Sequence, residues 1–216
     1  QQELVILPDD TGGFYVGGSL DGSRPGAFYA RTEGQQSYYD MPTLVYHEGV
    51  PGHHLQIALA QEQALPDFRR HTNYTAFVEG WALYAERLAA ELGWYDSDPY
   101  GDLGRLQWEA VRAARLAVDT GIHDRGWSWD EAVDFYQQDA GSTYGSAQGN
   151  VARFMLYPAQ ATSYMIGMKK ILELRDLMQT SLGADYDIAD FHNLVLTGGA
   201  LPLSILEKVV KQASQN

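Results

Sequence analysis

The spacing of apolar residues changes character near residue 42. Before that point, short apolar runs are broken by glycine, proline and serine. "ELVILP" suits a strand, and "GGFYVGGSLDGSRPGAFYAR" alternates aromatic residues with Gly, Pro and Ser around the turn signal "LDGSRPG". Two or three short strands are expected over 1–41, forming a small antiparallel β element. From Pro42 onward apolar residues recur at helical spacing. Helices are expected over 42–63, over 72–92 closing at Gly93, and over 100–121 closing at Gly121. "SWDEAVDFYQQ" opens on Ser128 with Glu131 three residues later, the reciprocal capping pattern of a helix start. A short helix, a break near Pro158 and a long helix to about Leu182 come next. "DYDIADFHNLVLTGG" and "LPLSILEKVVKQ" supply two more. No internal repeat, low-complexity tract or linker interrupts the pattern. The fold class expected is mainly α, a single domain over 1–216 that is β-rich over 1–41 and helical over 42–216.

Composition narrows the chemistry. With 216 residues, 45% of them hydrophobic, the chain can bury a substantial core. The net charge of −13, with its 15 Lys and Arg scattered, argues against nucleic acid or an anionic lipid surface as partner. No apolar run approaches the roughly 18 residues of a membrane span. The chain opens on Gln1 without a basic-then-apolar stretch, so no signal peptide is expected, and this opening equally suits a trimmed chain. The absence of cysteine removes disulfides, thiol catalysis and Cys-type zinc sites, leaving any metal to His, Asp and Glu.

His47, His53 and His54 fall within eight residues, in "HEGVPGHH". The stretch starts as a zinc-protease helix does, with Glu48 after His47, but the usual second ligand position is Pro51. On a regular helix, ligands at i and i+4 lie about 40° apart and about 6 Å along the axis, so both imidazoles reach one ion. Pro51 cannot donate to the His47 carbonyl and its ring crowds it. Val50 is pushed from helical angles, and Gly52 supplies the freedom to reroute. His53, at i+6, would lie about 120° off the His47 face on an ideal helix, and His54, at i+7, about 10.5 Å further along. A widened turn rotates the residues beyond it, which makes His53 the expected second ligand and His54 its substitute. Glu48 is placed to take a proton from water activated by the ion.

The third ligand is expected from the next helix. Glu79, in "FVEGW", has aromatic and small neighbours that favour burial, and a buried carboxylate needs a metal or a base as partner. An ion pair with an arginine such as Arg87 is the plain alternative. Glu86, further along the same helix, is either an acceptor supporting a ligand or a charge at the core edge. Zinc is the ion this donor set suggests.

"YHEGVPGHHLQ", "FVEGWALYAERLA", "RAARLAVDTGIH", "YPAQATSYMIG" and "LTGGALPLSILE" resemble, in that order, a large bacterial family, domain of unknown function 885. The resemblance runs from about "DGSRPG" nearly to the C-terminus. Members are usually longer, and this chain is similar to their C-terminal part. The family in turn resembles the gluzincin-type metallopeptidases, close to the helical carboxypeptidases and peptidyl dipeptidases. What this implies is a helical zincin-like catalytic domain with two His and one Glu on zinc, Glu48 as general base, and a short peptide or small amide as substrate.

Such a reaction needs a donor for the developing oxyanion. His123, after the helix of "DTGIH", and Tyr157 and Tyr164, around the break in "LYPAQATSY", are the candidates; capping for the histidine and packing for the tyrosines are the plainer roles. Arg115 is either the partner of Asp119 four residues on or the binder of a substrate carboxylate. "RPGAFYAR" is either an edge strand for an extended peptide or a surface hairpin. The function expected is a zinc-dependent peptidase. The alternatives are a hydrolase of non-peptide amides or esters, and a helical binding protein without turnover.

Overall fold

The computed structural model describes residues 2–10, 12–34 and 37–215. Strands β1 (Leu4–Asp9), β2 (Phe14–Val16) and β3 (Gly26–Arg31) form one sheet in the order β1-β3-β2. β2 pairs antiparallel with β3, placing Phe14 opposite Tyr29, and their rings stack with centroids 4.8 Å apart. β1 pairs with β3 in parallel, Leu4 opposite Gly26. The sheet is therefore mixed rather than wholly antiparallel. The chain reverses after β1 and again after β2, so β1 and β3 run the same way, and β3 lies between the other two. Ala27 and Phe28 of the central strand are buried.

The helical part is mainly as the periodicity predicts. Its elements are α1 (Met41–Glu48), α2 (His53–Glu62), α3 (Asp67–His71), α4 (Thr75–Glu91), α5 (Pro99–His123), α6 (Trp129–Asp139), α7 (Tyr144–Leu156), α8 (Ser163–Leu182), α9 (Ile188–Leu196) and α10 (Leu203–Ala213). Ser128 and Glu131 make both bonds of the capping box that opens α6. α5 runs past Gly121 to His123. That glycine does not end the helix; it makes room for a ring, since a Cβ there would sit 2.3 Å from Trp127.

α4 and α8 form the central pair. Gly80 and Gly167 face each other, and a Cβ on Gly167 would come 1.8 Å from the Ala76 carbonyl oxygen. This close approach buries Phe77, Trp81, Tyr84, Ile171 and Leu174 in a core completed by α9 and α10. A second core, around Val118, Tyr136 and Phe154, joins α5, α6 and α7. Among the described residues no helix is long and apolar enough to cross a membrane.

The helix expected over 42–63 is broken outright rather than widened. α1 stops at Glu48, α2 starts at His53, and the link contains a cis Val50–Pro51 bond. Gly52 is required by contact: a Cβ there would lie 1.9 Å from the His47 carbonyl oxygen. The Trp81 indole N–H donates to the Pro51 carbonyl at 2.9 Å, which pins the link to α4.

Candidate metal centre

The break decides which histidine meets His47. It lets α2 restart with His53 as its first residue, directed at the end of α1 and at α4. His47 Nε2 lies 3.5 Å from Glu79 Oε2, and His53 Nε2 lies 3.4 Å from the same oxygen. One ligand atom from each of the three residues falls within 4.8 Å of the others. A tetrahedral zinc with ligands at about 2.0–2.1 Å has ligand–ligand edges of about 3.4 Å. The two histidine–glutamate separations match that edge. The imidazoles meet at 84° with centroids 4.7 Å apart, so they converge on the shared point from different directions.

Supporting contacts fix the His47 ring. His47 Nδ1 donates to Glu86 Oε1 at 2.7 Å, leaving Nε2 as the free nitrogen facing Glu79. Glu86 is two helical turns beyond Glu79 on α4 and is fully buried. Thr43 Oγ1 donates to its Oε2 at 2.9 Å, and the Arg112 guanidinium of α5 donates to Oε1 at 3.0 Å. His53 lacks such support, its Nδ1 being buried without a partner; Glu79 Oε2, the oxygen at the shared point, likewise makes no hydrogen bond. A buried carboxylate oxygen that two imidazoles face, with no donor bonded to it, fits a cation between them.

Electrostatics follow from this packing. Burial raises the Glu79 carboxyl, but the facing imidazoles of His47 and His53 outweigh it and hold the group well below the usual carboxylate range. Burial opposes a charge on His47, yet its contacts to Glu79 and Glu86 raise it to about 9. The pocket is thus set to hold positive charge.

The remaining candidates separate. His54 points to the sheet, its Nδ1 3.0 Å from the Tyr15 hydroxyl, so it is not in the cluster. Arg87 pairs with Glu91 and Glu109, not with Glu79. Glu48 is buried and shares with His47 the wall of an open cavity of about 310 Å³, which Tyr164, Arg112 and Arg115 also line. The Tyr164 ring lies 6.3 Å from that of His47. His123 does not reach this cavity; its Nε2 is 3.0 Å from the Phe154 carbonyl, so it ties α5 to α7. Tyr157, at the end of α7, is 63% exposed and also stands away from it. Arg115 does not pair with Asp119, both of whose oxygens accept the Ala159 N–H at 3.1 Å. "RPGAFYAR" contributes the central strand, paired on both sides, so it offers no free edge to a peptide. Arg153, which sequence reasoning missed, lies on the cavity wall. Nothing in its local pattern marks it, because α7 meets α5 and α6 only through tertiary packing.

The model of a family described as bacterial protein of unknown function (DUF885) matches residues 3–210. The chain belongs to that family. Among solved structures, one similar to this DUF885 chain is a protein provisionally described as a lipoprotein from Colwellia psychrerythraea, 40% identical with a TM-score of 0.95. The match covers all of this chain and 38% of the Colwellia one. A protein from Shewanella oneidensis, described in similar terms as a lipoprotein of unknown function, shares the fold at a TM-score of 0.85 and 23% identity, over 97% of this chain and 40% of its own. The DUF885 chain thus spans about two fifths of the length of these solved relatives. No curated protein matches it.

Proposed function

We propose that this DUF885 chain carries the metal centre of a zinc-dependent hydrolase that cleaves peptide bonds in short peptides. The carrying observation is the convergence of His47 Nε2, His53 Nε2 and Glu79 Oε2 on one point, where the carboxylate oxygen makes no hydrogen bond. These three residues are the proposed ligands. Bound there, zinc supplies Lewis acidity toward a carbonyl and lowers the pKa of water.

The chain's own groups supply the rest. Glu48, next to His47 in sequence and on the same cavity wall, takes the proton from water and returns it to the leaving amine. Tyr164 is the group assigned to the oxyanion, because of the three candidates it alone lines that cavity. Glu86 holds the His47 ring in the tautomer that turns Nε2 inward. Two histidines and a glutamate from a following helix, with a glutamate after the first histidine, are also what the resemblance to gluzincin-type peptidases implies. The unusual spacing, with His53 six residues after His47, is accommodated by the break at Gly49–Gly52.

The test is a Glu48→Gln variant. It is expected to keep its zinc and to lose hydrolysis of a mixed short-peptide library by about 100-fold or more. Turnover of esters or non-peptide amides without peptides would replace the peptidase reading. Full peptide hydrolysis by Glu48→Gln would remove the base assignment.

A further inference from the structure

The cavity beside His47 and Glu48 has a charge pattern that metal binding does not use. The chain carries 28 Asp and Glu against 15 Lys and Arg, so a basic side chain without a carboxylate partner runs against its composition. Yet Arg31, Arg112, Arg115 and Arg153 all line this cavity, where among the described residues Glu48 is the one lining carboxylate. Arg112 is already engaged: it donates to Glu86 at 3.0 Å and to the Trp108 carbonyl at 3.2 Å, and lies 4.2 Å over the Trp108 ring.

Arg115, three residues further along α5, is different. Among the described residues it forms no ion pair, and its Nε is buried without a hydrogen-bond partner. Asp119, its natural partner at i+4, is occupied by the Ala159 N–H. The Arg115 guanidinium lies 5.5 Å from the Tyr164 ring, which holds its position. Arg153 donates to Gln160 Oε1, a neutral acceptor, at 2.7 Å, and among the described residues it forms no ion pair.

We infer that Arg115, with Arg112 and Arg153 around it, forms a subsite for the free C-terminal carboxylate of a peptide, making the chain a carboxy-terminal exopeptidase. This rests on the hydrolase reading above. A guanidinium offers parallel N–H donors matched to a carboxylate, and partial burial strengthens that bond. The Tyr164 ring stands 5.5 Å from Arg115 Cζ and 6.3 Å from the His47 ring, so the guanidinium and that imidazole are at most about 12 Å apart. At about 3.3–3.6 Å per extended residue, no more than about three residues bridge that gap. The bond to be cleaved then lies within about three residues of the chain end.

Calorimetric titration with N-acetyl-Ala-Ala and with its C-terminal amide, before and after zinc loading, tests the inference. The acid is expected to bind about tenfold or more tightly than the amide in both states. Arg115→Gln is expected to remove that preference, so that acid and amide bind with equal affinity. In the wild-type chain, equal affinity for acid and amide, no binding of the acid, or displacement of the acid by inorganic phosphate at matched affinity would each overturn the subsite. Alanine release by the zinc-loaded protein is followed in parallel. Acid preference without any release removes the hydrolase reading and leaves the carboxylate subsite standing. Cleavage of acid and amide at the same rate keeps the hydrolase and removes the exopeptidase assignment.

Discussion

His47 Nδ1 and Glu86 Oε1 lie 2.7 Å apart, both side chains almost wholly buried. The contact does two things. It orients the imidazole so that Nε2 faces Glu79, and it brings a buried carboxylate within 3.0 Å of the equally buried Arg112. Glu86→Gln is therefore expected to weaken zinc binding about 10–100-fold, read by competition with a chromophoric chelator. It also strips the Arg112 charge of its partner, at a cost of about 3–5 kcal/mol in chemical denaturation. Unchanged zinc affinity in a folded Glu86→Gln protein would show that the contact serves packing alone.

His53, the proposed second ligand, is held from a distance. Trp81 donates to the Pro51 carbonyl, and His53 comes two residues later. Trp81→Phe keeps an aromatic ring in the core but loses this bond, at about 1 kcal/mol of stability. Zinc affinity should fall in the same variant, because the link that aims His53 is no longer pinned to α4. His53 Nδ1 has no partner of its own to compensate.

Gly167 governs the approach of α8 to the helix that carries Glu79 and Glu86. Its backbone meets Ala76 so closely that a Cβ has no space. Gly167→Ala is expected to cost about 3 kcal/mol in equilibrium unfolding, as overpacking against backbone does. Gly145 and Gly149 have nothing within 4 Å of an added Cβ, so Gly149→Ala within α7 serves as the control and should be neutral or slightly stabilising.

His192 sets an acid sensitivity separate from the candidate metal centre. Burial, with Arg175 nearby, lowers its pKa from 6.5 to about 4, and the neutral ring accepts the Tyr84 hydroxyl at 2.7 Å. The unfolded chain thus binds the proton more readily than the folded one between these values. The stability held by the neutral ring is present above about pH 6.5 and is lost as pH falls toward 4. For a half-buried ring screened by solvent, roughly 1 kcal/mol is expected. The difference in unfolding free energy between wild type and His192→Gln, measured from pH 7 to pH 4, should shrink across this window.

Much of the helical frame is legible because burial in helices leaves a periodic trace. The Ser128–Glu131 box and the long α8 are read directly from local pattern. The path at Val50–Gly52 is only half legible. Pro51 announces that the helix fails, but whether the chain widens or breaks depends on the Trp81 bond and the contact at Gly52, both tertiary. His53 and Glu79 emerge from residue type and spacing. The exclusion of His54 depends on Tyr15, which a β strand brings up from 39 positions away. His123 and Tyr157 look chemical in sequence because each sits by a turn, yet one bonds a carbonyl of α7 and the other faces solvent. The mixed sheet is illegible for a related reason: the alternation of apolar residues marks strands, not their neighbours.

The most direct test is the zinc content of the chain and of its His47→Ala, His53→Ala, His54→Ala and Glu79→Ala variants, by elemental analysis after dialysis against trace zinc. About one zinc per wild-type chain is expected, retained in His54→Ala and lost when any of the other three is replaced. A chain that takes up no zinc, or one that keeps it without His53 and loses it without His54, would contradict the ligand set.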